Sequence, residues 1–196
     1  MAGVIETFPA LEARDRAAWR AWLRLHHRTA PGVWLVYHKK ASDTPTVTYE
    51  EAVQEALCYG WIDSLVRTLD VRRYRQLFTP RKPGSTWSLA NKRRVEQLIA
   101  GRRMTKAGLA KIEAAKANGS WQSRDAVETL AIPADLRRAL AAEGEALRNF
   151  RGYAASLRKG MLYWLASAKR VETRTRRLAR LVAYAAEHTS ARQFLP

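Results

Sequence analysis

The residues best suited to chemistry lie in FTPRKPGSTWSLANKRR, where Arg81, Lys82, Ser85, Trp87, Ser88 and Lys92 surround two prolines and a glycine. Pro80 and Pro83 forbid continuation of a preceding strand, Gly84 allows a tight bend, and Ser88 is a natural N-cap for a helix through Val95, Leu98 and Ile99. The free amides and positive dipole end of such a helix favour anions. Arg81, Lys82, Ser85, Ser88 and Lys92 therefore form a candidate site for a phosphate or carboxylate. Trp61 and Trp87 supply aromatic walls for an attached group. The loop lacks the glycine pattern and terminal Lys-Ser/Thr of a P-loop. The competing reading is a solvated loop in which Trp87 fills the core.

A second basic feature lies near the C-terminus. Helical spacing places Arg170, Arg174 and Arg177 on one face, which could contact phosphates or be solvated. Other chemistry finds less support. Cys58 is the sole cysteine, which excludes an internal disulfide and a thiolate zinc cluster. It lacks a histidine partner in sequence and reads as a buried structural thiol. His26 and His27 sit at a helix end, where capping and packing account for them, and no HExxH arrangement occurs. No catalytic residue, metal ligand or cofactor is assigned.

Local signals set the elements that position these groups. Val4 to Phe8 is expected to form a short strand, and Asp15 to cap a helix carrying Trp19, Trp22 and Leu23 on an apolar face, with Arg16, Arg20 and Arg24 on a basic one. The apolar run Val33 to Tyr37 suits a buried strand. Thr48 and Glu51 have capping-box spacing, and Gly60 is placed to end the helix they begin. Ile62 to Leu69 and Arg73 to Phe78 are rich in β-branched and aromatic residues and read as two strands around a turn. Thr105 caps the next helix, Asn118-Gly119 stops it, and Trp121 is expected to fold back on it. Beyond Pro133 the pattern is helical. The fold class is α+β: a small, mainly antiparallel sheet covered by helices, then a helical C-terminal subdomain. The polar stretch from Gln122 sets the boundary, giving a core domain over 1–125 and a helical subdomain over 130–196.

The 196 residues are 47% hydrophobic, enough to bury a sizeable core. No run approaches the roughly 20 apolar residues that span a bilayer. MAGVIETFPALEARD lacks the basic start and apolar core of a signal peptide, so a cytoplasmic location is expected. With 35 Lys+Arg against 18 Asp+Glu the formal charge is +17. A chain that basic attracts polyanions at long range, which makes an anionic ligand or nucleic acid the expected partner.

Several segments together resemble one family. W-x-x-W-L with its His pair, GVWLVYHKK, TYEEAVQEALCYGWIDS, FTPRKPGSTWSLANKRRVEQLI, MTKAGLAKIEAAKANGSW and YWLASAKRVETRTRRL are similar to the YdeI/OmpD-associated, or bacteriocin-protection, family. The resemblance runs from about Trp19 to Ala185. It implies a cytosolic bacterial protein linked to tolerance of bacteriocins or antimicrobial peptides, and it transfers no enzymatic activity, cofactor or catalytic residue. Because a chain of this charge repels cationic peptides, the expectation is a non-enzymatic module that binds an anionic partner. The alternative is a nucleic-acid-binding protein that uses a distributed basic surface, with stacking on some of its tryptophans.

Overall fold

A computed structural model describes residues 6–39, 42–188 and 194. The chain divides into two compact units, Met1–Gln122 and Ser123–Pro196. The first is built on a four-stranded mixed sheet of order β1-β2-β4-β3, with β1 Ala10–Glu12, β2 Val33–His38, β3 Trp61–Thr68 and β4 Arg73–Pro80. β1 runs parallel to β2, whereas β2–β4 and β3–β4 are antiparallel. The strand expected over Val4 to Phe8 forms at Ala10–Glu12 instead; residues 4 and 5 of that expectation lie outside the described residues. The other three strands appear where β-branched and aromatic runs predict them. Tight pairing from Val33↔Phe78 to His38↔Arg73 holds β2 in the middle of the sheet.

Four helices complete this unit: α1 Arg16–His26, α2 Tyr49–Cys58, α3 Leu89–Ala100 and α4 Lys106–Ala117. Each starts at the cap that its sequence announces. Asp15 accepts the Ala18 amide at 2.8 Å, and Thr48 and Glu51 form the reciprocal box. Ser88 and Thr105 accept the amides of Asn91 and Gly108. Trp19, Leu23, Val33, Leu35, Leu57, Trp61 and Phe78 pack between helices and sheet, all at most 1% exposed.

Arg16 and Arg20 lie on the basic face that their spacing gave and are only partly exposed. With Arg103 they grip Glu55, whose side chain is fully buried, through contacts of 2.5, 2.5 and 2.7 Å. Desolvation pushes this carboxyl up, but the hydrogen bonds from the three guanidinium groups outweigh it and hold it below the usual range. α4 is seated beside this cluster. The Thr105 hydroxyl donates to the Cys58 carbonyl at 2.6 Å, and Gly108 comes so close that a Cβ there would lie 2.3 Å from the same oxygen.

The second unit is helical: α5 Asp125–Glu128, α6 Ala134–Ala142, α7 Ala146–Gly152, α8 Ala155–Ala166 and α9 Val171–Glu187. Leu136, Leu140, Phe150, Met161, Leu165, Leu181 and Ala185 form its core, each fully buried. Asn149 donates to the Ala185 carbonyl at 2.9 Å, which ties α7 to α9.

Two outcomes test this packing. Glu55→Gln is expected to destabilise by about 3 kcal/mol in urea denaturation, because it leaves three guanidinium groups around a neutral side chain. A carboxyl with a depressed folded pKa stabilises above its unfolded value near 4.3 and loses that contribution as pH falls below it. Wild-type stability should therefore decline below about pH 4, and the Glu55→Gln variant should lose part of that dependence. Gly108→Ala is expected to cost about 2 kcal/mol or more by the same measurement, since backbone rather than a mobile side chain blocks the added methyl.

Candidate functional site

The loop after β4 is fixed at its start by the Arg81 amide, which donates to the Gly60 carbonyl at 2.9 Å. Gly60 has φ +75°, and a Cβ there would lie 2.7 Å from the Lys111 side chain, so glycine both ends α2 and lets α4 approach. A concavity of about 60 Å³ lies against this junction. Arg81, Lys82, Pro83, Gly84, Ser85 and Trp87 line one side, and Lys111, Ala114, Ala115, Asn118 and Ser120 from α4 and its C-terminal turn line the other.

Arg81 dominates its electrostatics. The residue is 4% exposed, its guanidinium lies 3.6 Å from the Trp87 ring centroid, and Nη1 donates to the Thr86 carbonyl at 3.2 Å. Its buried Nε has no hydrogen-bond partner among the described residues. Burial pulls its pKa down to about 10, with the field of Asp63 opposing that shift, so it stays charged at neutral pH. Trp87 is 1% exposed and does fill the core, but its face carries this cation while its ring meets Trp121 at 4.9 Å.

The other expected residues separate. Lys82 and Ser85 line the concavity; Ser88 and Lys92 do not. The Ser88 hydroxyl is occupied in capping α3, and Lys92, 7% exposed, holds its Nζ 5.2 Å from the Trp121 ring centroid. Trp61 lies in the core, edge-on to Trp22, with its indole N–H donating to the His27 carbonyl at 3.1 Å. It forms no wall of the site. Lys111, Asn118 and Ser120 were not singled out by sequence; Asn118-Gly119 signalled only a helix end, and nothing local marked Lys111. Asp63 accepts from the Tyr49 hydroxyl at 3.0 Å and from the Gln76 side-chain amide at 2.8 Å. Cys58 is buried, and that burial pushes its thiol up.

In the helical unit, Arg174 binds Asp135 through two contacts of 2.8 and 3.1 Å, and Arg177 donates to the Trp164 carbonyl and to Ser167. Arg170 is exposed at the N-cap of α9. Helical spacing placed the three together, but their guanidinium groups serve different contacts. A groove of about 300 Å³ instead joins Arg177 to Arg176, Arg180 and Trp164.

Among the described residues no helix is long and apolar enough to cross a membrane. The arrangement defines a two-unit α+β protein with a basic, tryptophan-backed concavity in its sheet-bearing unit. Residues 11–111 match the family described as a domain of unknown function (DUF8412), and residues 129–188 match the family described as bacteriocin-protection, YdeI or OmpD-associated. The chain belongs to the DUF8412 family through its first unit and carries a bacteriocin-protection, YdeI or OmpD-associated domain in its second. The resemblance read from sequence reached back to Trp19, and its N-terminal segments fall within the first of these matches. No curated protein and no solved structure matches the chain.

Arg174→Met is expected to lower the stability of the helical unit by about 1 kcal/mol, the scale of a partly exposed bidentate pair. Arg170→Met should stay within about 0.5 kcal/mol. Thermal denaturation of the two variants separates a structural arginine from an exposed one.

Proposed function

We propose that the protein is a non-enzymatic binding module whose partner carries a phosphate or carboxylate, received by Arg81 in the concavity it forms with Lys82, Ser85 and Lys111. One observation carries this reading: a buried arginine borders a cavity, and among the described residues its Nε has no hydrogen-bond partner and no carboxylate is bonded to it. Buried charges are ordinarily paired, and an anion entering here would complete the pair. The described lining residues include no carboxylate, imidazole or thiol. Binding without turnover fits that set. The description of the family matched by residues 129–188 names bacteriocin protection; a cytoplasmic setting and tolerance of antimicrobial peptides as the phenotype belong to this proposal. Capture of a cationic peptide is a poor route to it for a chain of formal charge +17. An anionic partner is electrostatically natural.

Equilibrium binding of a labelled single-stranded oligonucleotide across a salt series, with inorganic phosphate as competitor, tests the assignment on wild type and Arg81→Ala. The expected result is competition by phosphate, with affinity about tenfold or more weaker in Arg81→Ala, as loss of a charged hydrogen bond predicts. Tight binding with a steep salt slope, unchanged by the substitution, would replace this reading with a distributed basic surface acting on nucleic acid.

A further inference from the structure

The donors around Arg81 discriminate between kinds of anion. Trp87 covers one face of the guanidinium, Nη1 donates to the Thr86 carbonyl, and Nε is buried without a hydrogen-bond partner among the described residues. The edge of a guanidinium matches two oxygens of one group. Lys82 and Lys111 line the same concavity, and no acidic residue does, so its lining carries three formal positive charges. Asn118 accepts the Ser120 amide through Oδ1 at 3.0 Å, which directs its Nδ2 donor elsewhere, and the Ser85 hydroxyl adds another donor.

A carboxylate brings one charge and two coplanar oxygens. It would satisfy the Arg81 edge and leave the lysines and neutral donors facing an uncharged carbon chain. A phosphate monoester brings up to two charges and three terminal oxygens in a tetrahedron, enough to occupy the arginine edge and a lysine on the opposite wall together. The volume agrees. About 60 Å³ is several times the roughly 10–15 Å³ that one water requires by this measure, which suits a single phosphoryl head. Pro83, Ala114 and Ala115 give the remaining wall an apolar surface for a short organic group.

Building on the anion-binding reading, we propose that this concavity receives the terminal phosphate monoester of a small organic molecule, as the dianion, between Arg81 and Lys111. The charged groups facing it are Arg81 and Lys82 from the β4–α3 loop and Lys111 from α4, and Asp63 on β3 reaches Arg81 only through its field. Arg81 stays charged at neutral pH, whereas a phosphate monoester loses its second proton near pH 6. Affinity for the monoester should therefore rise with pH.

Calorimetric titration with phenyl phosphate and with benzoate, on the full chain at pH 5.5 and pH 7.5, tests the proposal. The expected result is that phenyl phosphate binds more tightly than benzoate and gains several-fold between the two pH values, as its second ionisation near pH 6 requires, while benzoate stays flat. Lys111→Met retains the aliphatic stem that packs on Gly60 and should weaken phenyl phosphate about three- to tenfold, the scale of one charged contact, leaving benzoate nearly unchanged. Equal or tighter benzoate binding without pH dependence would overturn the phosphate assignment and leave the anion module standing. Failure of both probes to bind would overturn the two together.

Discussion

The buried carboxylate of Glu55 is the constraint around which the sheet-bearing unit is arranged. A fully desolvated carboxylate is tolerable only when its lone pairs are filled, and three guanidinium groups from two separate stretches fill them. Arg16 and Arg20 lie one turn apart on α1, Glu55 lies in the last turn of α2, and Arg103 belongs to the turn leading into α4. Satisfying one acid thus fixes the relative placement of three helices. The approach of Gly108 to the Cys58 carbonyl then follows, because a turn held at Arg103 and Thr105 leaves α4 no freedom to stand away from α2. α4 is the far wall of the concavity, so the distance from Lys111 to the Arg81 loop is set by an ion cluster that touches neither.

The contrast between Glu55 and Arg81 explains why the concavity stands out. In this unit acids are scarce, and the well-formed ones are consumed internally: Glu55 by three arginines, Glu50 by Arg94, Asp70 by Arg73. Asp63 is turned to Tyr49 and Gln76. Arg81 is buried without a bonded carboxylate and rests on an indole face instead. A cation–π contact returns only about 2 kcal/mol even when desolvated, less than the several kcal/mol that burying an ion costs. The imbalance appears as the depressed pKa of Arg81, and an anion placed beside it would relieve it. Exposed arginines elsewhere carry no such penalty, so net charge alone says little about where a specific ligand binds.

Much of the fold was legible because its signals are local. Asp15, Thr48, Ser88 and Thr105 announced four helix starts by side-chain chemistry that needs only neighbouring amides, a continuous apolar run marked β2, and β-branched and aromatic enrichment marked β3 and β4. What escaped depends on distant partners. Arg16 and Arg20 read only as the basic side of a helix because nothing near them in sequence shows Glu55, 39 and 35 residues away. Trp61 and Trp87 looked equivalent, yet the first closes the core against Trp22 and the second carries Arg81, a difference set by tertiary position. The left-handed residue after α3 is Arg102, with φ 54°, rather than Gly101, so even a glycine at a helix end did not fix the local backbone.

The two family matches divide the chain along the same line as the packing, and this bears on how function is assigned. The bacteriocin-protection description belongs to residues 129–188, whereas Arg81, Trp87 and Lys111 fall within residues 11–111, whose family description names no activity. The cavity therefore inherits nothing from the better described match, and the anion reading rests on the physics of one unpaired arginine. The helical unit offers different chemistry, since Arg174 and Arg177 spend their guanidinium groups on Asp135, Ser167 and the end of α8. Two of its arginines thus serve to hold α9 in place. A specific ligand is thus better sought at the concavity in the first unit, where a buried cation still has donor capacity to give.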